Sequence, residues 1–282
     1  MCAYASRGEG ETDRPQRRAG GDDAVIGAVR EDIRQTLRTA WVDPAFESPA
    51  AYPAFFAAAW SAIRPNVGKT FLLLARATRT DAADAARAIA NGTDLRKRLS
   101  PDLSEEELHR VEDVSRAAHL ATAKTQIVVH ALLRAARRER LGGTGREEAP
   151  VRRGVPDWQR WMSVQPTLVR ADGEGGGGLV RAFARWPVAF AAIGEELDRA
   201  RRTELWTGAA KLLRRRVLAG ISSLPHPIEL QWTALRERGF SEADRRSLVD
   251  VLSAADAAMP SQTLGAAFAW VALGAPEIAP EG

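Results

Sequence analysis

Four histidines, one cysteine and a basic cluster are the side chains of this 282-residue chain whose types suit ready-made chemistry, and their spacing withholds most of it. His109, His119, His130 and His226 contain no His-x-x-x-His pair, the spacing that turns two imidazoles of one helix toward a metal ion. Cys2 stands alone, so there is neither a thiolate metal set nor a disulfide framework. A structural role is expected for each histidine, with His130, in the apolar run Ile127-Val128-Val129, the one that could face a pocket. No Gly-x-Ser-x-Gly elbow occurs, and the glycine runs lack the Lys-Ser/Thr of a phosphate-binding loop. Lys211 with Arg214, Arg215 and Arg216 is the densest basic cluster. On a helix these residues spread over most of the circumference and read as a solvated face with internal ion pairs. Function therefore rests on how the helices bring distant residues together.

Composition narrows the class of molecule. At 45% hydrophobic residues the chain can bury a substantial core, and the net charge of +4 with a pI near 9.7 is only weakly basic. No aromatic interleaving or known reading module accompanies the basic cluster, so no nucleic-acid partner is expected. No apolar stretch approaches the ~18 residues of a membrane span, and the opening residues carry no signal-peptide core, so no membrane partner is expected either. The reading is a cytoplasmic protein, monomer or homodimer, with a disordered tail over residues 1–23.

The elements are helical throughout. Val25, Val29, Ile33 and Leu37 recur every four residues and predict a helix from Ala24 to about Arg38, ended by Asp43-Pro44. Trp41 and Phe46 then fall on an irregular connection. Further helices are predicted over Pro53–Arg64, Val67–Ile89, Ser104–His119 and Ala123–Arg140, then over Pro187–Ala200 and Glu204–Ile221. A last one covers Ser261–Leu273. Ser104 with Glu107 and Ser241 with Asp244 have capping-box spacing, and a valine follows each serine by ten residues. No segment alternates as a half-buried strand does. The fold class is all-α. The order also recurs: Tyr52-Pro53 with Phe56 returns as Trp186-Pro187 with Phe190, each aromatic-Pro pair opening a helix at the position that suits proline. Two tandem helical repeats forming an intrachain pseudo-dimer are therefore expected, over residues 24–140 and 179–282. A Gly/Arg/Pro-rich linker over 141–178 joins them and ends on the tetraglycine Gly175 to Gly178.

The segment Glu31-Asp32-Ile33-Arg34-Gln35-Thr36-Leu37-Arg38-Thr39-Ala40-Trp41-Val42, with Ala51-Tyr52-Pro53 and Ala59-Trp60, resembles the opening of the group I 2-haloacid dehalogenases, also called halocarboxylic acid dehydrogenases. Ala184-Arg185-Trp186-Pro187 is similar to the start of that family's second repeat. The resemblance implies an all-helical pseudo-dimer with its site between the repeats. It also implies removal of halide from short 2-haloalkanoic acids without metal or cofactor, by water that an Asp activates for direct attack on C2. Carried over residue by residue, it retains Trp41 and puts Pro44 where the family has an aromatic; Phe46 joins them on the same connection. Thr122 and Thr125 fall near the family's pocket Asn and Tyr. Gly178 and Leu179 stand where the family has the Ser and the Asp base, eight residues before Pro187 in the case of Leu179.

Leucine cannot deprotonate water, so another acid has to serve. Asp172 and Glu174 lie seven and five residues before Leu179, next to the tetraglycine, and Asp43 lies two residues from Trp41; these three are the candidate substitute bases. Three functions follow: a hydrolase of carbon–halide bonds, a catalytically altered relative that binds a small carboxylate or apolar ligand between its repeats, or a helical interaction protein without pocket chemistry.

Overall fold

The computed structural model describes residues 21–144, 183 and 185–274, and within them the chain is all-α. The described residues form ten α-helices in this order: α1 Gly21–Leu37, α2 Glu47–Ala50, α3 Pro53–Ile63, α4 Lys69–Ile89, α5 Leu95–Leu99, α6 Glu105–Ala136, α7 Pro187–Arg201, α8 Glu204–Ile221, α9 Trp232–Glu237 and α10 Glu242–Ala272. No strand is present among the described residues, which carry one isolated antiparallel bridge, Leu141 with Ile228. No helix of the described residues is long and apolar enough to cross a membrane.

The caps form where the residues call for them. Ser104 accepts from the Glu107 amide while Glu107 reaches back to the Ser104 amide, and Ser241 with Asp244 does the same at the start of α10. Each such box satisfies two donors that a helix N-terminus leaves open. Tyr52 and Trp186, before the prolines of α3 and α7, have nearly the same backbone geometry, φ −120° and ψ 77° against φ −119° and ψ 82°.

Four expectations are corrected. The helix expected from Ala24 begins at Gly21, so the segment 21–23 belongs to α1 rather than to a tail; residues 1–20 lie outside the described chain. Ser104–His119 and Ala123–Arg140 are not two helices but one, α6, running through Thr122. α10 likewise continues through Pro260, although proline removes one backbone hydrogen bond and crowds the carbonyl of Asp256 four residues earlier. The stretch given to the linker from Leu141 starts as a docked strap. Ile228 donates to the Leu141 carbonyl at 2.9 Å and Gly143 to that of Leu224 at 2.9 Å. Gly142, at φ 67°, has the His226 carbonyl 2.5 Å from where a Cβ would stand, so only glycine fits there.

α6 and α10 pack against each other along much of their length, each also touching α4 and α8. Residues 117–133 of α6 are buried on every side, as in a helix at the centre of a fold. The apolar side chains separate into two cores. One gathers α3, the C-terminal half of α6 and the N-terminal half of α10, with Phe55, Phe56, Val128 and Leu248 fully enclosed. The other gathers α7, the N-terminal half of α6 and the C-terminal half of α10, with Leu108, Val111, Ala189 and Phe268. Each core thus draws on both halves of the chain.

α4 and α8 meet where Gly220 leaves room for Leu74: a Cβ at Gly220 would stand 2.3 Å from Leu74 Cδ1 and 3.0 Å from Cγ. Gly220→Ala should be destabilising, because the ~1–3 kcal/mol of overpacking outweighs the ~1 kcal/mol that alanine gains in helix propensity. Urea unfolding reads the difference, and a variant more stable than wild type would mean that Leu74 turns aside freely.

Candidate functional site

A belt of buried polar residues lies between the two cores. On α6, His119, Thr122, Lys124, Thr125 and Gln126 fall between Ala117, the last second-core residue of that helix, and Ile127, the first of the first core. Thr263 of α10 and Thr78 and Arg79 of α4 are buried too. Buried polar groups need partners, and several find them across the helix crossing or within their own helix. The Thr263 hydroxyl donates to Gln126 Oε1 at 2.8 Å, and Thr78 donates to the Leu74 carbonyl at 2.9 Å. Gln126 and Thr263 each stand 22 residues after the capping serine of their own helix (126 less 104, 263 less 241), so positions of equal rank meet at the crossing of α6 and α10.

Lys124 fastens the belt to the first connection. Its Nζ donates to the Leu37 carbonyl at 3.0 Å, at the C-terminal end of α1 where the helix dipole favours a cation. There the chain turns through Arg38 at φ 53°, and the Thr39 amide returns to the Arg34 carbonyl at 3.0 Å. The connection that follows carries Trp41, Asp43, Pro44 and Phe46. Trp41 packs on the second core while Val42 and Phe46 pack on the first, so this segment spans the boundary at which the belt lies. Asp43 is buried and accepts from the Ala45 amide at 2.9 Å, capping the 3-10 turn Pro44–Phe46.

One step toward the first core, His130 Nδ1 meets Asp256 Oδ1 at 2.9 Å with both side chains buried. Arg214 Nη2 approaches the other oxygen of Asp256 only to 3.5 Å, an ion pair too long for a good hydrogen bond. At the opposite end of the belt, burial pushes the His119 imidazole down to about 3, with the cations Arg79 and Arg87 of α4 adding to the effect. His119 is therefore neutral at neutral pH. Its Nδ1, and the Thr122 hydroxyl one turn further along α6, are buried without a hydrogen-bond partner among the described residues.

Of the residues expected at the site, Trp41, Asp43, Pro44 and Phe46 are together on one connection, and Thr122 and Thr125 are in the belt. Asp172, Glu174, Gly178 and Leu179 lie outside the described residues. Lys124, Gln126, Thr263, Asp256 and Arg79 were not singled out from sequence, although a signal existed. Lys124-Thr125-Gln126 interrupts an otherwise apolar helical run, and Asp256 is a single acid inside Ala254-Ala255-Asp256-Ala257-Ala258. The basic cluster also differs from its expected form, because Arg214 and Arg216 pair with Asp256 and Asp81 of other helices rather than within α8.

Two surface clefts lie away from the belt. One of about 350 Å³ is at the start of α8, lined by Arg202, Thr203 and Lys211, and one of about 410 Å³ is between α5 and α7, lined by Leu99, Pro187 and Glu195. Both are open and solvated, and no buried polar side chain lines either of them. The belt is the better candidate on chemical grounds. No cluster of three or more His, Cys, Asp or Glu suited to a metal ion occurs among the described residues.

No family model matches the sequence, and no curated protein matches it. Solved structures do. A D-2-haloacid dehalogenase mutant in complex with D-2-CPA is 18% identical, with a TM-score of 0.75 over 91% of this chain and 93% of that one. The D-2-haloacid dehalogenase with L-LA gives the same identity and TM-score over 91% and 94%. A further D-2-haloacid dehalogenase mutant gives 18% identity and a TM-score of 0.76 over 91% and 93%. The chain therefore has the all-α fold of these dehalogenases over nearly its whole length.

Proposed function

We propose that this protein is a hydrolase that removes halide from short 2-haloalkanoic acids by direct attack of water on C2, in a site between two duplicated helical halves. The observation that carries this reading is the fold match, with a TM-score of 0.75 over 91% of the chain, to solved D-2-haloacid dehalogenases. The duplication is supported by the meeting of Gln126 with Thr263 at equal rank, since equivalent positions touch each other where a two-fold axis passes. In the reaction the water gives a proton to a carboxylate, its oxygen bonds to C2 with inversion, and the halide leaves with the C–halide electron pair. Asp43, Asp172 and Glu174 are the proposed bases. Trp41, with Pro44 and Phe46 beside it, and the belt around Thr122 and Thr125 supply apolar wall and donors. Holding charge in such a water-poor setting is what gives donors their catalytic weight.

Halide release from 2-chloropropionate tests it. Wild type should release halide, and among Asp43→Asn, Asp172→Asn and Glu174→Gln the variant lacking the base should lose about 10²–10⁴-fold in rate. No halide from wild type across a panel of 2-haloacids would sink the reading. A second reading, a relative that binds a small carboxylate or apolar ligand without turning it over, is favoured by Leu179 at the position where the resemblance calls for the acid.

A further inference from the structure

Polar atoms sealed in a core cost free energy unless something bonds them. In the belt, His119 and Thr122 are 2% and 4% exposed, yet His119 Nδ1 and Thr122 Oγ1 have no partner among the described residues. The two residues are three positions apart on α6, which places them on one face about 4.5 Å apart along the axis. Neutral imidazole can carry its proton on Nδ1, and a threonine hydroxyl can rotate to donate, so the pair can present two donors in one direction. The charges that act on His119 from α4 are those of Arg79, itself buried, and Arg87, both positive. Two convergent donors beside buried positive charge suit an anion, and the dense packing around them suits only a small one.

We propose that His119, Thr122 and Arg79 form the seat for the carboxylate of a small organic acid bound between the halves. This deepens the reading as a haloacid hydrolase and rests on it for the identity of the acid. It assigns to His119 and Arg79 a positioning role at the end of the substrate remote from the carbon under attack. A neutral imidazole at this place favours binding over proton transfer, since a group that stays deprotonated to about pH 3 is a poor base but a good fixed donor.

Propionate, which has no halide to lose, is the probe. Added to the full-length protein in chloride-free buffer, it should move the His119 ring nitrogen resonances saturably. Thr122→Val and Arg79→Gln should each weaken binding by about tenfold or more, as expected for loss of a charge-assisted bond. Arg87→Gln should change it by less than about threefold, Arg87 being paired with Asp84 at the surface. Circular dichroism checks that each variant folds; Thr122→Val, nearly isosteric, keeps the test decisive should Arg79→Gln unfold. The seat is refuted if propionate leaves the His119 resonances unmoved, if Thr122→Val binds it as wild type does, or if chloride alone moves them. Propionate bound as described without halide release from any haloacid would overturn the proposed function and leave the seat standing. Halide release with His119 unmoved would do the reverse.

Discussion

His130→Ala should lower unfolding stability by about 2–3 kcal/mol, the upper part of the cost of leaving a buried acceptor without its donor. His130 joins α6 to α10 through Asp256 at 2.9 Å, and both side chains are 5% exposed, so water cannot take the place of the lost donor. Arg214 would remain, but it stands 3.5 Å away with half its side chain in solvent, too distant to replace the imidazole. The companion expectation separates cause from size. In the double variant His130→Leu with Asp256→Leu neither partner is left buried without the other, and most of the loss should return even though the hydrogen bond is gone. Urea unfolding of wild type, His130→Leu, Asp256→Leu and the double variant closes the cycle, with His130→Ala measured beside it. A single variant within about 1 kcal/mol of wild type would mean that the pair holds little, and a double variant as unstable as the single ones would put the loss down to packing.

The second large effect is a dependence on pH. His119 has an ordinary value of 6.5 when unfolded and is pushed down to about 3 in the fold, chiefly by burial, then by Arg79 and Arg87. As pH falls through 6.5 the unfolded chain takes up a proton that the folded chain refuses, so stability drops. Above about pH 6.5 neither state is protonated, and the contribution of His119 does not change. Between there and about pH 3 the slope approaches ~1.4 kcal/mol per pH unit, which amounts to about 2 kcal/mol by pH 5. His119→Gln should remove that share of the slope, so the wild-type and variant stability curves, offset at pH 8, should converge or cross by about 2 kcal/mol at pH 5. Parallel curves would mean that His119 titrates alike in both states. An anion in the seat proposed above would favour the protonated ring and shift the onset to lower stability loss, which makes chloride-free, carboxylate-free buffer the right medium.

Much of the helical plan is written locally. Ser104 with Glu107 and Ser241 with Asp244 are short-range reciprocal hydrogen bonds, so their spacing alone announces where α6 and α10 begin. Glu204–Ile221 is bounded by a threonine cap and a serine exit, and its predicted span agrees with α8. The centre of α6 was misread for the opposite reason. The expected break falls between His119 and Ala123, and the polar residues Thr122, Lys124, Thr125 and Gln126 around it interrupt the apolar period. Lys124 and Gln126 are instead satisfied by distant residues, the Leu37 carbonyl and the Thr263 hydroxyl, which no local pattern reveals. The last helix, expected from Ser261, starts instead at Glu242 and runs through Pro260, because α10 is enclosed on both sides of the proline and packing outweighs the single lost bond.

By itself the sequence determined that this protein is a set of helices, where most of them begin, and which recur, because caps, proline positions and apolar periods act over one or two turns. Only the tertiary structure decided that α6 and α10 cross between two cores, and that the crossing carries a polar belt whose members come from α1, α4, α6 and α10. Whether a buried threonine, lysine or histidine is a flaw, a fastening or a seat depends on what faces it across that crossing. The facing groups are more than 80 residues away along the chain for Lys124 with Leu37 and for His130 with Asp256.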